Sequence, residues 1–277
     1  MKIKISISLV VFVLVVQNIQ AQQAWTKEKG KYYTQIASTF GRYDEIIDKE
    51  FIPLNRTITD FAFSFYGEYG LTKGLMLSTQ VPFKYTTVSN GSLSNVSNGS
   101  KFGLSNIDLV LTKSIFNKEG VALSGKTRLG LPTASFDNNT GIRTGFDATS
   151  VEPALLIGVG AAKFFTSAEY GIELRNNNHP NRQHFGFQLG TFLFNRKLLA
   201  IAVVEGYLPI EESKYDDGNA RFTALYLSTQ AWVSPTIKLG YYVTPSNILW
   251  FSVGGGLIGT KDIGASPGFT ISFSKSN

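Results

Sequence analysis

The feature that most constrains this chain is a strict alternation of apolar and polar residues along residues 103–132. A turn at residues 117–120, Asn-Lys-Glu-Gly, divides the stretch into two arms. On the first arm, Ile107 and Leu109 lie on the apolar side and Asp108 on the polar side. Because side chains alternate between the two faces of a β-strand, this pattern predicts an antiparallel hairpin. The hairpin alone does not decide whether its apolar face meets a protein core or a membrane.

The same alternation recurs in about twelve segments from residue 31 onward, each about ten to thirteen residues long. Short turns lie near residues 70–74, 117–120, 160–162, 195–197 and 245–247. Longer polar loops lie at residues 44–56, 86–101, 133–147, 176–182, 210–220 and 260–266. Short turns at one end and long loops at the other are typical of an outer-membrane β-barrel, whereas a β-sandwich has no reason to sort its loops in this way. We therefore predict an all-β, antiparallel, up-and-down transmembrane β-barrel of about twelve strands.

The first 21 residues have the organisation of a secretory signal peptide. Lys2 and Lys4 give a basic start, an apolar run covers residues 5–16, and Ala21 offers a small residue for cleavage. The apolar run is shorter than the roughly 20 residues that a spanning helix needs. We expect residues 1–21 to be removed and residues 22–277 to form one barrel domain, exported through the periplasm to the outer membrane of a Gram-negative bacterium.

Composition excludes several classes of protein. The chain has no cysteine, which excludes disulfides, thiolate metal sites and a lipid-anchored cysteine at the cleavage site. Its net charge is +6, but the basic residues are scattered, so no nucleic-acid patch is expected. The expected partners are the lipid bilayer and a small-molecule solute, and no cofactor is expected.

Charged residues stand in the middle of several predicted strands, on the polar faces. They would be prohibitive in a sandwich core, but a barrel places them in a polar lumen. The predicted lumen-lining residues are Asp60, Glu68, Lys84, Asp108, Lys126, Arg128, Glu152, Glu169, Glu173, Arg175, Glu205 and Lys238. Aromatic residues near strand ends are expected to form girdles at the membrane interfaces: Tyr32, Tyr43, Tyr69, Trp232, Tyr241, Tyr242 and Trp250.

The two histidines do not indicate an enzyme. His179 lies in an Asn-rich loop and is expected to be solvated, while His184 lies on a polar face where Gln188 and Glu173 could satisfy it. Because a catalytic triad is defined by geometry, which a sequence does not give, the sequence offers no nucleophile and base to assign. Two histidines without cysteine also argue against a transition-metal site.

Four glycine-containing segments carry a family resemblance: EYGLTKGLMLSTQVPF, FGLSNIDLVLTKSIF, VALSGKTRLGLPT and IGASPGFTISF. The chain resembles the outer-membrane transporter family named for the MetA pathway of phenol degradation. The resemblance implies a single-domain barrel that passes small, often aromatic or hydrophobic, molecules, and it implies no catalytic residues. One departure is the end of the chain, where Phe273 is followed by Ser-Lys-Ser-Asn and the terminal aromatic common in barrels is missing.

The sequence is compatible with two functions. The first is a passive channel or transporter with a narrow, charge-lined passage, since about twelve strands lie between filled and open barrels. The second is a closed structural or adhesive surface barrel whose long outer loops bind a partner. A polar lumen is compatible with both. Few residues precede the first strand, so we expect any gating to come from the outer loops.

Overall fold

The computed structural model of the protein describes residues 24–48, 50–89, 91, 96–256 and 261–277. The predicted signal peptide, residues 1–21, lies outside the described residues. No helix among the described residues is long and apolar enough to cross a membrane.

Strands dominate the structure. In chain order they are β1 Tyr32–Asp48, β2 Glu50–Thr72, β3 Leu75–Ser89, β4 Gly99–Leu104, β5 Ile107–Lys118, β6 Val121–Leu131, β7 Phe136–Asp137, β8 Ile142–Arg143, β9 Ser150–Gly160, β10 Phe164–Arg175, β11 Arg182–Leu193, β12 Leu198–Pro209, β13 Trp232–Thr244, β14 Asn247–Gly254, β15 Ile263–Gly264 and β16 Gly268–Ser276. A 3-10 helix, Gly218–Phe222, precedes β13.

Twelve of these strands form a closed antiparallel barrel, in the order β1-β2-β3-β5-β6-β9-β10-β11-β12-β13-β14-β16. The barrel closes at β1, where Ile36 faces Phe65 of β2 on one side and Phe273 of β16 on the other. The remaining short strands are accessories: β4 pairs with β3, β15 pairs with β1, and β7 pairs with β8. The predicted twelve-stranded barrel is confirmed, and a sandwich is excluded.

The short connections lie at one end of the barrel, together with the start of β1 and the end of β16. Tyr33 near the start of β1 pairs with Ser276 at the end of β16. The turn between β5 and β6 consists of Glu119 and Gly120, with φ of 54° and 81°. Two consecutive positive φ values define a type I′ turn, whose twist suits a tight hairpin. By analogy with other outer-membrane barrels, we call this end periplasmic and the opposite end outer.

The apolar face of each strand points away from the barrel. Leu109, Leu155, Ile157, Phe187 and Ile271 are all exposed on the exterior. A continuous apolar exterior would be unfavourable in water, and it matches the hydrocarbon of a bilayer. The apolar face of the 103–132 hairpin was expected to point outward, and Leu109 does so.

Two predicted loops are wrong, because the strands continue through them. Residues 44–48 and 50–56 belong to β1 and β2, which extend as a hairpin beyond the other strands. Residues 86–89 prolong β3, and β4 pairs back onto that extension. The charged or Ser/Asn-rich composition concealed these strands, because above the membrane a strand needs no apolar face. Residues 221–244 hold part of the 3-10 helix, a connection and then β13.

Candidate transport passage

One side of the lumen is filled by charged side chains, which we call the charged wall. Its members are Asp108, Lys126, Arg128, Glu152, Glu169, Glu173, Arg182, His184 and Glu205, on the inward faces of β5, β6 and β9–β12. Strand alternation places them inward, because they share the face of each strand that lies opposite the face pointing to lipid.

Arg128 is the centre of the charged wall. Its Nη2 lies 2.5 Å from Glu152 Oε2 and 2.8 Å from Glu173 Oε1, and its Nη1 lies 3.4 Å from Asp108 Oδ1. Arg182 shares Glu173, with Nη2 2.5 Å from Oε2. One guanidinium thus cross-links strands β5, β6, β9 and β10, and its charge is neutralised by carboxylates that are themselves buried or half-buried.

His184 continues the network. Its Nδ1 lies 2.7 Å from Glu152 Oε1, and its Nε2 lies 3.3 Å from Glu205 Oε1. The Tyr207 ring stacks on the imidazole at 4.3 Å. Lys126 pairs with Glu169, the third carboxylate near His184. The expected partners Gln188 and Glu173 are therefore wrong.

Glu152, Glu169 and His184 have the composition of a metal site, since one ligand atom from each lies within 4.8 Å of the others. Both carboxylates already accept hydrogen bonds from cations, Glu152 from Arg128 and Glu169 from Lys126. A divalent ion there would be opposed by two permanent positive charges at contact distance. The arrangement is therefore better described as a salt-bridge network.

The other predicted lumen-lining residues lie apart from this network or at its edge. Lys84 bridges Asp60 at 2.7 Å and donates to Tyr226 at 3.0 Å. Glu68 pairs with Lys27 at 3.5 Å. Arg175 is buried at the outer end of β10, and Lys238 is exposed to the lumen on β13. By their contacts, the twelve residues predicted to line the lumen fall into four groups: the charged wall with Arg175 at its edge, the Lys84–Asp60 pair, Glu68, and Lys238.

The opposite side of the lumen carries a set of short, uncharged side chains, which we call the hydroxyl wall, and Lys238 of β13 lies among them. Its members are Thr39, Thr236, Ser252, Thr270, Ser272 and Ser274, on β1, β13, β14 and β16. Thr39 and Thr270 hydrogen-bond each other at 2.8 Å across the barrel seam, and Gln35 donates to Ser272 at 2.6 Å. Short side chains leave space that the long charged residues opposite do not.

A cavity of about 430 Å³ lies against the hydroxyl wall. Its lining also includes Gln80 and Gln188, and Lys27, Glu68 and Tyr66 border it towards the periplasmic end. A solute inside this cavity would therefore meet mostly hydroxyl and amide groups.

The periplasmic end of the lumen is partly filled by the segment that precedes β1. The carbonyl of Ala24 accepts a hydrogen bond of 2.7 Å from Ser124 of β6. Trp25 lies on Gly158 of β9, where an added Cβ would stand 2.3 Å from the ring. The short segment before β1 therefore reaches into the lumen, so the constriction of the lumen is not confined to the outer loops.

Further rings line the same end, each lying on a glycine of the neighbouring strand. Phe165 pairs with Gly190, and Trp250 pairs with Gly240. Trp250 donates to Ser274 at 2.9 Å and is buried, so it does not belong to an interface girdle. The girdle prediction also fails at Tyr43, which packs inward, whereas Tyr69 and Tyr241 are exposed on the exterior.

The outer end is covered by two loops, residues 132–149 and 210–231, which we call the roof. Ile142 and Leu225 pack with Ile58 and Val88 on the extensions of β2 and β3. Arg143 Nη1 lies 3.1 Å from Asp217 Oδ1, which joins the two loops. These contacts close the lumen above the charged wall.

His179 lies under the roof and is buried, so the expected solvation is wrong. Its Nε2 lies 2.7 Å from Asp147 Oδ1, and its ring stacks on Tyr215 at 3.9 Å. Burial, reinforced by the nearby Arg175, lowers the pKa of His179 despite the Asp147 hydrogen bond. Neither Nη atom of Arg175 has a hydrogen-bond partner among the described residues, and its guanidinium lies 4.9 Å from the centre of the Phe146 ring.

The pKa values of two neighbours of His179, Asp147 and Tyr215, are also shifted. Burial opposes ionisation of Asp147, but hydrogen bonds from His179 and Tyr215 hold the pKa of this carboxyl below its usual value. Burial and the hydrogen bond to Asp147 raise the pKa of Tyr215 to about 12. The roof is therefore most compatible with a neutral imidazole, an ionised Asp147 and a protonated phenol.

Sequence reasoning missed Arg182, Tyr207 and Trp25 as lumen residues. Arg182 and Tyr207 have the same inward parity as His184 and Glu205, which was an available signal. Trp25 precedes the first alternating segment, and nothing in its local sequence indicates that it folds back into the lumen.

The closed barrel, apolar exterior and polar interior define an outer-membrane type of β-barrel. No family model matches the sequence, and no curated protein matches it. The COG4313 outer membrane channel from Pseudomonas putida F1 is similar in structure, with a TM-score of 0.69 at 13% identity, covering 94% of this chain and 100% of that one.

Two further solved structures share the architecture. The KdgM porin in complex with disordered oligogalacturonate has a TM-score of 0.51 at 9% identity, covering 88% of this chain and 99% of that one. The translocator domain of the autotransporter NalP from Neisseria meningitidis has a TM-score of 0.50 at 10% identity, covering 90% and 89%. At such identities the likeness establishes the fold alone, and proteins of different functions share it.

Proposed function

We propose that the protein is a passive channel of the bacterial outer membrane, through which small solutes cross along the hydroxyl wall. The observation that carries the proposal is the cavity of about 430 Å³ inside the barrel. The proposal includes export by the signal segment 1–21, followed by its removal. The apolar exterior and the likeness in fold to an outer membrane channel support this placement.

Among the predicted lumen-lining residues, we assign solute contact to Glu68 and Lys238, which border the cavity. The remaining predicted residues mainly stabilise the barrel, because their charges form ion pairs with neighbouring side chains. The protein is proposed to have no catalytic activity. In support, the hydrogen bonds of His179 and His184 go to carboxylates, and neither histidine activates a serine among the described residues.

The roof favours the alternative of a closed surface barrel, because its two loops pack together above the lumen. Planar-bilayer recordings separate the two functions. A channel gives discrete opening steps after insertion of the purified, folded barrel. A barrel that shows heat-dependent gel migration but no current would support the closed alternative, and a soluble periplasmic location would overturn both.

A further inference from the structure

The cavity contains a cation that is not held in an ion pair. Lys238 is exposed to the cavity, and its ammonium makes no hydrogen bond and no ion pair at contact distance with the described residues. The carboxylate of Glu205 attracts this ammonium electrostatically but does not contact it. By contrast, Lys27, Lys84 and Lys126 each pair with a carboxylate. An ammonium left free inside a lumen where other lysines are paired is available to a solute.

Two hydroxyl groups lie beside this ammonium. Ser252 pairs directly with Lys238 across β13 and β14, and Thr236 stands two residues before Lys238 on the same inward face. Directly paired residues have Cβ atoms about 5 Å apart. Neither hydroxyl makes a hydrogen bond to the described part of the protein. Three hydrogen-bonding groups therefore converge on one part of the cavity without a protein partner.

We propose that this part of the cavity binds small organic anions that carry hydroxyl groups, of the sugar-acid class; this rests on the proposed channel function. The ammonium of Lys238 offers three donors and a full charge, which suit a carboxylate. Ser252 and Thr236 each offer one donor and acceptor lone pairs, which suit the hydroxyl groups of the same solute. A volume of about 430 Å³ lies within the range of small-molecule sites.

The lining disfavours an apolar solute. The large apolar side chains that border the cavity are embedded in the wall, with Tyr33 9%, Trp250 7% and Ile201 4% exposed. An aromatic or hydrocarbon solute would therefore contact hydroxyls, amides and an ammonium, and would strip them of water without replacing the hydrogen bonds. The site thus selects against the aromatic class that the family resemblance implies.

The test uses the folded, detergent-solubilised full-length barrel and three probes: gluconate, the aromatic monoanion 2-naphthoate, and neutral glucose. Binding is measured by calorimetry, and block of the chloride current is measured in planar bilayers. Gluconate is expected to bind and block at concentrations about tenfold lower than either other probe, because only gluconate satisfies both the ammonium and the hydroxyls.

Two variants localise the effect. Lys238→Gln should remove the advantage of gluconate over glucose, and Ser252→Ala should reduce it by a smaller factor. Lys118→Gln is the matched control, because Lys118 lies exposed at the periplasmic turn and, among the described residues, forms an ion pair with Glu119 alone. It should leave the preference unchanged.

The outcomes separate this inference from the channel function. Binding of gluconate without any current would uphold the inference and contradict the channel. Current with equal block by all three probes, or with tighter binding of 2-naphthoate, would overturn the inference while the channel stands. A gluconate preference that survives Lys238→Gln would overturn the assignment to this site.

Discussion

Both sides of the lumen are polar, but their side chains differ in length and in charge. The charged wall places long ionic side chains inside the barrel and pairs them, so that Arg128 and its carboxylates fill the space and cross-link the strands. The hydroxyl wall consists of short side chains, which leave a cavity beside them. Polarity alone therefore does not make a passage, because side-chain length and ion pairing decide which polar wall is filled and which is open.

The largest expected effect comes from removing the centre of the charged wall. Arg128→Ala leaves the buried carboxylates of Glu152 and Glu173 without their shared cation, and breaking such a group costs about 3–5 kcal/mol. We expect the urea concentration at the midpoint of unfolding in detergent to fall clearly. Unfolding is monitored by heat-dependent gel migration. Lys238→Ala is the matched control, because Lys238 makes no ion pair at contact distance with any described residue. Equal loss of stability in both variants would contradict the structural role of the charged wall.

The second effect concerns the space along the hydroxyl wall. Ala37 borders the cavity, so Ala37→Phe places a ring in it without removing a hydrogen bond. Single-channel conductance should fall at least about twofold, because the width of a pore limits the current. Ala202→Phe puts the same ring on the exterior of β12 and should leave the conductance unchanged. A normal conductance for Ala37→Phe would place the passage elsewhere.

The third effect is a pH dependence of the roof. The pKa of His179 is lowered in the closed roof and returns towards about 6.5 when the roof opens. The open form therefore binds more protons, and closure is weakened as the pH falls through the interval below about 6.5. We expect the open probability at pH 5 to exceed that at pH 7.5 by roughly twofold, and His179→Gln to abolish the difference.

Other charges around His179 act in known directions. Loss of the Asp147 carboxylate charge, whose pKa is lowered, would weaken closure only at more acidic pH. A pH response that persists in His179→Gln would assign it to another group.

The smallest effect is expected at the periplasmic end. Trp25→Ala removes the ring that lies on Gly158, and it should raise conductance by less than about twofold because the rest of the segment remains. Phe194→Ala is a control at the same end, since Phe194 is highly exposed outside the barrel. An unchanged conductance for Trp25→Ala would show that this segment does not narrow the passage.

The barrel and the inward parity of its charges were predictable because lipid imposes a strict two-residue period on every spanning strand. The division into two walls was not. Arg128 and Lys238 follow the same pattern in the sequence, yet one is surrounded by carboxylates from other strands and the other faces open space. Register and barrel closure decide which side chains meet across the lumen. Neither can be predicted from the local sequence.

Above and below the membrane the prediction failed for a related reason. Beyond the bilayer, strands such as the outer part of β2 no longer need alternation, so their sequence looks like a loop. The burial of His179 and the fold-back of Trp25 depend on contacts with segments that are distant along the chain.

Cysteine accessibility can test the passage along the hydroxyl wall without background reaction, because the natural chain has no cysteine. Ser252→Cys and Thr270→Cys place a thiol on the hydroxyl wall, while Thr112→Cys and Ser124→Cys place one at buried inward positions on β5 and β6. A charged methanethiosulfonate reagent should change the single-channel current of the first pair within seconds to minutes and leave the second pair unchanged. The reverse pattern, with modification confined to β5 and β6, would contradict a passage along the hydroxyl wall.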